Sequence, residues 1–304
     1  MRNRLVGISV SVAIPIALML ALAASPSAQR GRGRGSAEPA PPTPRLADGT
    51  PNLGRVPGEK GVWGVPYITN MADRMINADG TPAVVREGRG ARGARGAGGG
   101  GGGGRGGAAS EPHIPFQPWA AAVYDYNSEN LSKYDPEGYC LPPGGPRMMA
   151  TPYPMEIVQL PEQQRILMIF EGATHIWREI YMDGRPHPEG DALNPTYLGH
   201  SVGRWEGDTL VVDVVGFNEE TWLDYFGHPH TDRLHIVERF SRPDKHTLHY
   251  EALIDDPGAY TRPWSVAWDI QWREDAELTE YICQENNRYL YRLTDDLDQP
   301  IFGQ

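Results

Sequence analysis

From residue 155 onward, apolar and polar positions alternate with a period of two. The clearest case sets Trp264, Val266, Trp268, Ile270 and Trp272 against Ser265, Ala267, Asp269, Gln271 and Arg273. That pattern predicts a strand with one buried and one wetted face. The same reading predicts strands near 155–160, 165–171, 175–182, 198–205, 209–216, 233–242, 247–254, 264–273 and 278–283. Turn chemistry punctuates them at Asp183-Gly184-Arg185, Glu206-Gly207-Asp208, Pro243-Asp244-Lys245 and Asp256-Pro257-Gly258. Upstream, Pro118 to Lys133 carries Trp119, Val123 and Tyr126 behind an initial proline and predicts a single helix. The island from Lys60 to Ile68 holds Trp63, Tyr67 and branched residues, too much strand-forming surface for a linker, and is assigned to the fold.

About nine antiparallel strands with short turns and one helix must either close on themselves or stack as two sheets, because open edges invite pairing with other chains. Within the island, Gly61-Val62-Trp63 resembles the Gly-x-Trp that opens the first strand of lipocalins and their calycin relatives. The resemblance implies a barrel plugged at one end by Trp63, with Gly61 and Trp63 as structural residues. The expected fold is therefore mainly β: an antiparallel lipocalin-like β-barrel of about nine or ten strands with one helix. A two-sheet β-sandwich is the alternative.

The N-terminus changes the picture of where the domain works. Met1-Arg2-Asn3-Arg4 precedes an apolar run from Leu5 to Ala24 and the small-residue segment ending at Ala28. That order predicts a signal peptide over 1–28 and a periplasmic or extracellular protein, a membrane-anchored form being the alternative if the run is not cleaved. No transmembrane span is expected after cleavage. Residues 29–55, rich in Arg, Gly and Pro, are expected to be disordered, and residues 56–304 to form one barrel domain with a flexible Gly/Arg-rich insertion at 88–110. Residues 29–110 hold 12 basic and 6 acidic groups, whereas 111–304 hold 14 and 33. The folded part is acidic, which argues against a nucleic-acid partner. The two cysteines, Cys140 and Cys283, are expected to be bonded in an exported chain.

A second resemblance is broader. It runs through Cys140-Leu141-Pro142-Pro143-Gly144, Pro152-Tyr153-Pro154-Met155-Glu156-Ile157, Gly199-His200-Ser201-Val202-Gly203-Arg204-Trp205-Glu206-Gly207-Asp208, Gly227-His228-Pro229-His230-Thr231-Asp232 and Asp255-Asp256-Pro257-Gly258-Ala259-Tyr260-Thr261-Arg262-Pro263-Trp264. Over residues 115–286 the chain resembles a family of uncharacterised secreted proteins of environmental bacteria. That resemblance implies relatives, and no activity.

Several clusters offer chemistry. His228-Pro229-His230 would project both rings to one side of an extended backbone and supply two ligands to zinc or copper, with His175, His200 or Glu238 completing the set. The plainer reading is a proline-fixed loop with structural imidazoles. Along 175–181, His175, Trp177, Glu179 and Tyr181 share one face, while Ile176, Arg178 and Ile180 share the other. Either face could line a pocket. Glu238 falls on the apolar face of its strand, where a buried carboxylate suits general acid or base work or a salt bridge to Arg178 or Arg262. Asp213 lies within the apolar run Leu210 to Val215. No nucleophile elbow, phosphate loop, dinucleotide fingerprint or Cys-x-x-Cys pair is present.

Two readings stay open. One is an exported lipocalin-like protein that binds a small, partly apolar ligand against Trp177, Tyr181, Trp264, Trp268 and Arg178. The other is a cofactor-independent hydrolase, isomerase or lyase in the same pocket, with His175, His200, His228 or His230 paired to Glu238. Metal binding by His228 and His230 is the further alternative, no other cofactor being expected. The sequence does not address oligomeric state.

Overall fold

A computed structural model describes residues 39–83, 114–172, 176–285 and 287. The signal-like N-terminus, the glycine-rich insertion and His175 lie outside the described residues. The described residues from Ala40 onward form one unit.

The alternating segments become strands: β1 (Val62–Gly64), β2 (Met75–Ile76), β3 (Pro154–Leu160), β4 (Arg165–Phe170), β5 (Trp177–Tyr181), β6 (His200–Glu206), β7 (Thr209–Val215), β8 (His235–Asp244), β9 (Thr247–Asp255) and β10 (Trp264–Arg273). The helix α1 covers Pro118–Asn130. Neighbours pair in the order β1-β3-β4-β5-β6-β7-β8-β9-β10, and β1 pairs back onto β10 with Trp63 opposite Trp272. The sheet closes into a barrel, so the two-sheet alternative does not hold. The short β2 adds to the same edge of β10 at Ser265 and Val266. The barrel interior is filled as the period-two pattern requires. Trp264, Val266, Trp268, Ile270 and Trp272 are buried in one core with Met155, Met168, Ile180, Phe240 and Tyr250.

Two expectations about the strands need correction. β5 and β6 pair in parallel, at Ile180 to Ser201 and Tyr181 to Val202. Residues 182–199 therefore run back along the outside of the wall, and Asp183-Gly184-Arg185 opens a crossover instead of a hairpin. The segment 278–283 is not a strand. Both edges of β10 are already taken, by β9 on one side and by β1 and β2 on the other. Cys283 instead bonds Cys140 across 143 residues of sequence. Closing so long a loop in the unfolded chain contributes about 5 kcal/mol in the chain-entropy account.

The two ends of the barrel differ. At one end the strands turn quickly, between β3 and β4, β6 and β7, and β8 and β9. Trp63 fills that end, fully buried, its indole N–H donating to the Leu53 carbonyl at 2.7 Å. The Arg242 guanidinium lies 4.8 Å from the Trp63 ring and donates to the carbonyls of Asn52 and Gly54. Residues 43–55 are thus packed, not disordered: Asn52 and Leu53 are buried, and Arg45 pairs with Asp208 at 2.6 Å. At the opposite end the connections are long. The segment holding α1, the β7–β8 connection 216–234 and the β9–β10 connection 256–263 all collect there. No helix among the described residues is long and apolar enough to cross a membrane.

Candidate functional site

The long connections build a cavity of about 530 Å³ over the open end, lined by Phe116, Tyr124, Asp125, His228 and Arg262 among others. Behind its wall lies a buried carboxylate–imidazole pair, of which His228 reaches the lining. Asp224, wholly buried, accepts from His228 Nδ1 at 2.7 Å through Oδ2, which also takes the Met71 N–H at 2.7 Å. Its other oxygen takes the N–H groups of Gly227 at 3.1 Å and His228 at 3.3 Å. Burial pushes the Asp224 carboxyl up, but the His228 ring and the N–H groups of Met71 and His228 outweigh it, holding it below the usual carboxylate range.

Local sequence explains the loop that carries this pair. Gly227 has φ +87°, the left-handed region that favours glycine, and a Cβ there would come within 2.3 Å of Asn127. Asn127, in the last turn of α1, donates to the Gly227 carbonyl at 2.9 Å and seals the helix onto the loop. Tyr260 donates to the Pro229 carbonyl at 2.8 Å from the other side. Aromatic rings then box the imidazole: Tyr124 at 4.3 Å, Phe116 stacked at 5.4 Å and Trp264 at 5.9 Å between centroids.

Because an ionised carboxylate only accepts, His228 Nδ1 must carry a proton, and in a neutral ring Nε2 is left as an acceptor. Among the described residues nothing bonds to that nitrogen, and His228 lines the cavity. Next to it, the buried Trp264 indole N–H also lacks an acceptor among the described residues. Comparison of the chain with protein-family models, curated proteins and solved structures returned no match. The closed barrel fits a lipocalin- or calycin-like architecture in general outline. Any finer conclusion has to come from the site's own chemistry.

The residues singled out in the sequence fall in three places. Inside the barrel, Glu238 accepts from Arg178, and from the Tyr250 hydroxyl at 2.9 Å, while Arg178 donates to Ser201 at 2.9 Å. Glu238 therefore meets Arg178, the salt-bridge alternative, and no histidine among the described residues. Trp264 and Trp268 are core residues, Trp268 donating to the Met149 carbonyl at 2.9 Å. On the outer wall, Trp177 is 60% exposed, and Tyr181 stacks on His200 at 5.2 Å. At the barrel end, His228 and His230 do not share a side. His230 bonds Thr221 at 2.8 Å through Nε2 and the Thr231 carbonyl at 3.1 Å through Nδ1, so both its nitrogens are engaged. The shared-side reading assumed an extended strand, whereas 227–230 is loop. Among the described residues no group of three or more ligand side chains is arranged to hold a metal.

The sequence reading missed Asp224, Phe116 and Tyr124. The four-residue spacing from Asp224 to His228 was the available signal, but in a loop such spacing has no fixed geometry.

Burial keeps His230 below the ordinary imidazole range. Its unfolded-state pKa is about 6.5, so as pH falls below that value the unfolded chain takes up the proton first. We expect constant stability above about pH 6.5, then a falling melting temperature until the folded-state pKa is reached. Thermal melts at pH 7.5 and 5.0 check this, and H230Q should flatten the difference. An unchanged wild-type melting temperature would contradict it.

Proposed function

We propose that the protein binds a small, partly apolar molecule in the end cavity and uses His228 Nε2 to take a proton from it or from a water beside it. The observation that carries this reading is the buried Asp224–His228 pair: one imidazole nitrogen is fixed as donor, the other has no bond among the described residues, and the residue lines the cavity. A carboxylate held in this way orients the ring and stabilises the imidazolium formed when the base accepts a proton. Phe116 and Tyr124 give the ligand apolar faces. Arg262 and Asp125, neither with a partner among the described residues, put one charge of each sign on the rim. The reaction class is cofactor-independent acid–base catalysis, hydrolysis or isomerisation. The signal-like N-terminus and the Cys140–Cys283 bond support a site of action outside the cytoplasm.

The test is a screen of small aromatic esters, lactones and α-acidic ketones, scored by hydrolysis and by α-proton exchange in D2O. Turnover by the wild type that drops by about 10²–10⁴-fold in H228Q is expected. Absence of turnover across the panel, or turnover that H228Q retains, would overturn the reading.

A further inference from the structure

The outer wall carries a second cleft, of about 620 Å³, where the crossover 182–199 lies over β5 and β6. His200 stands in it at the head of a chain of side chains. Asp213 accepts from His187 Nε2 at 3.0 Å and from His235 Nε2 at 3.1 Å, and the Nδ1 atoms of His187 and His200 meet at 2.8 Å. The carboxylate only accepts, so His187 carries its proton on Nε2, and in a neutral ring its Nδ1 accepts from His200 Nδ1–H. His200 Nε2 is then an acceptor, and among the described residues nothing bonds to it. This geometry is separate from the Asp224–His228 pair and uses none of its residues.

The character of the walls narrows what would bind. Trp177 leaves 60% of its surface to solvent at the cleft, so its ring is available to a ligand there. Leu193 and Leu198 add apolar surface. The charged residues at the cleft are already matched. Glu179 is held by Arg165 at 3.1 Å, and Arg178 turns into the barrel onto Glu238. The end cavity offers unpaired charge, and this one does not.

We propose that the wall cleft is a second binding site, for a small neutral phenol-type molecule whose ring lies on Trp177 and whose hydroxyl donates to His200 Nε2. His187 is its positioning residue, since it fixes which nitrogen of His200 is bare. Partial burial, with His187 and Arg185 nearby, keeps His200 below the ordinary imidazole range and supports the acceptor form. The ionisable groups facing this chain are His187 and Arg185 from the crossover, Tyr181 from β5, and Asp213 and His235 behind His187.

Calorimetric titration of the full chain with 2-naphthol, 2-methylnaphthalene and 2-naphthoate tests the proposal. 2-Naphthol should bind at least tenfold more tightly than either of the others. W177A, a change at an exposed position, should weaken it about tenfold while leaving His228-dependent turnover unchanged. H187F should weaken it and also move the pH at which binding is lost, a shift that a purely structural role for His187 would not produce. Equal affinity for 2-methylnaphthalene, tighter binding of 2-naphthoate, or full affinity in W177A would each overturn it. Failure here with turnover intact at His228 would leave the end-cavity reading standing.

Discussion

Asp224→Asn should lower kcat at the end cavity by about 10²–10⁴-fold while leaving KM within a few-fold of wild type. Asparagine preserves the shape of the carboxylate but not its charge. If its carbonyl faces His228, the imidazolium formed on proton uptake has no counter-charge. If its amide faces His228, Nδ1 becomes the acceptor, the ring's proton moves to Nε2, and the base becomes a donor. The first outcome destabilises the imidazolium and the second removes the reacting tautomer, and neither empties the cavity, since Phe116, Tyr124 and Arg262 are untouched. Steady-state kinetics on whichever substrate the wild type turns over would check this, alongside a thermal melt to establish that the variant is folded. An unaltered kcat would show that Asp224 serves the loop and not the chemistry.

Glu238→Leu should be the most damaging single change to stability, costing about 3–5 kcal/mol. It leaves the buried Arg178 guanidinium without its counter-ion inside the barrel and the Tyr250 hydroxyl without its acceptor. Burial, the largest cause holding the Tyr250 hydroxyl above the ordinary phenol range, persists when the carboxylate is gone and disfavours a phenolate as replacement for the missing charge. The triple variant R178M/E238L/Y250F should recover most of the loss, because an apolar set of similar volume removes the stranded charge as well as the pair. Urea unfolding of the single and triple variants measures both. Equal stability of E238L and wild type would contradict the account of this network as a structural bridge.

How much of this was legible in the sequence depends on how local the signal is. The strand at Trp264–Arg273 was legible because five buried residues alternate within it, and the pattern needs no knowledge of its neighbours. The cysteine pairing followed from two residues and a compartment. Pairing partners were not legible. The Asp183-Gly184-Arg185 signal is local, and whether the chain then reverses into a hairpin or crosses the wall depends on which strand edge is free elsewhere. The same limit applied to 278–283, whose sequence cannot report that β10 is already paired on both edges.

At the site, histidines were visible and their partners were not. His228 stood out beside His230, yet its partner is Asp224 in the same loop, brought round by Gly227 and held by Met71 from another connection. His200 stood out in the sequence, but its link to Asp213 passes through His187 on the crossover, which a hairpin reading would have put elsewhere. Trp177 and Tyr181 were grouped with Trp264 and Trp268 as one aromatic wall. The barrel separates them, two outside and two inside, because alternation along a strand defines two faces without saying which one is the core.

The proposed base requires the buried carboxylate to hold His228 with its proton on Nδ1 and a bare Nε2 toward the cavity. Long-range proton–nitrogen correlation of the His228 ring measures this directly. The account predicts a protonated Nδ1 and a bare Nε2 whose resonance moves when a ligand enters the end cavity; a proton on Nε2 with a bare Nδ1 would contradict it.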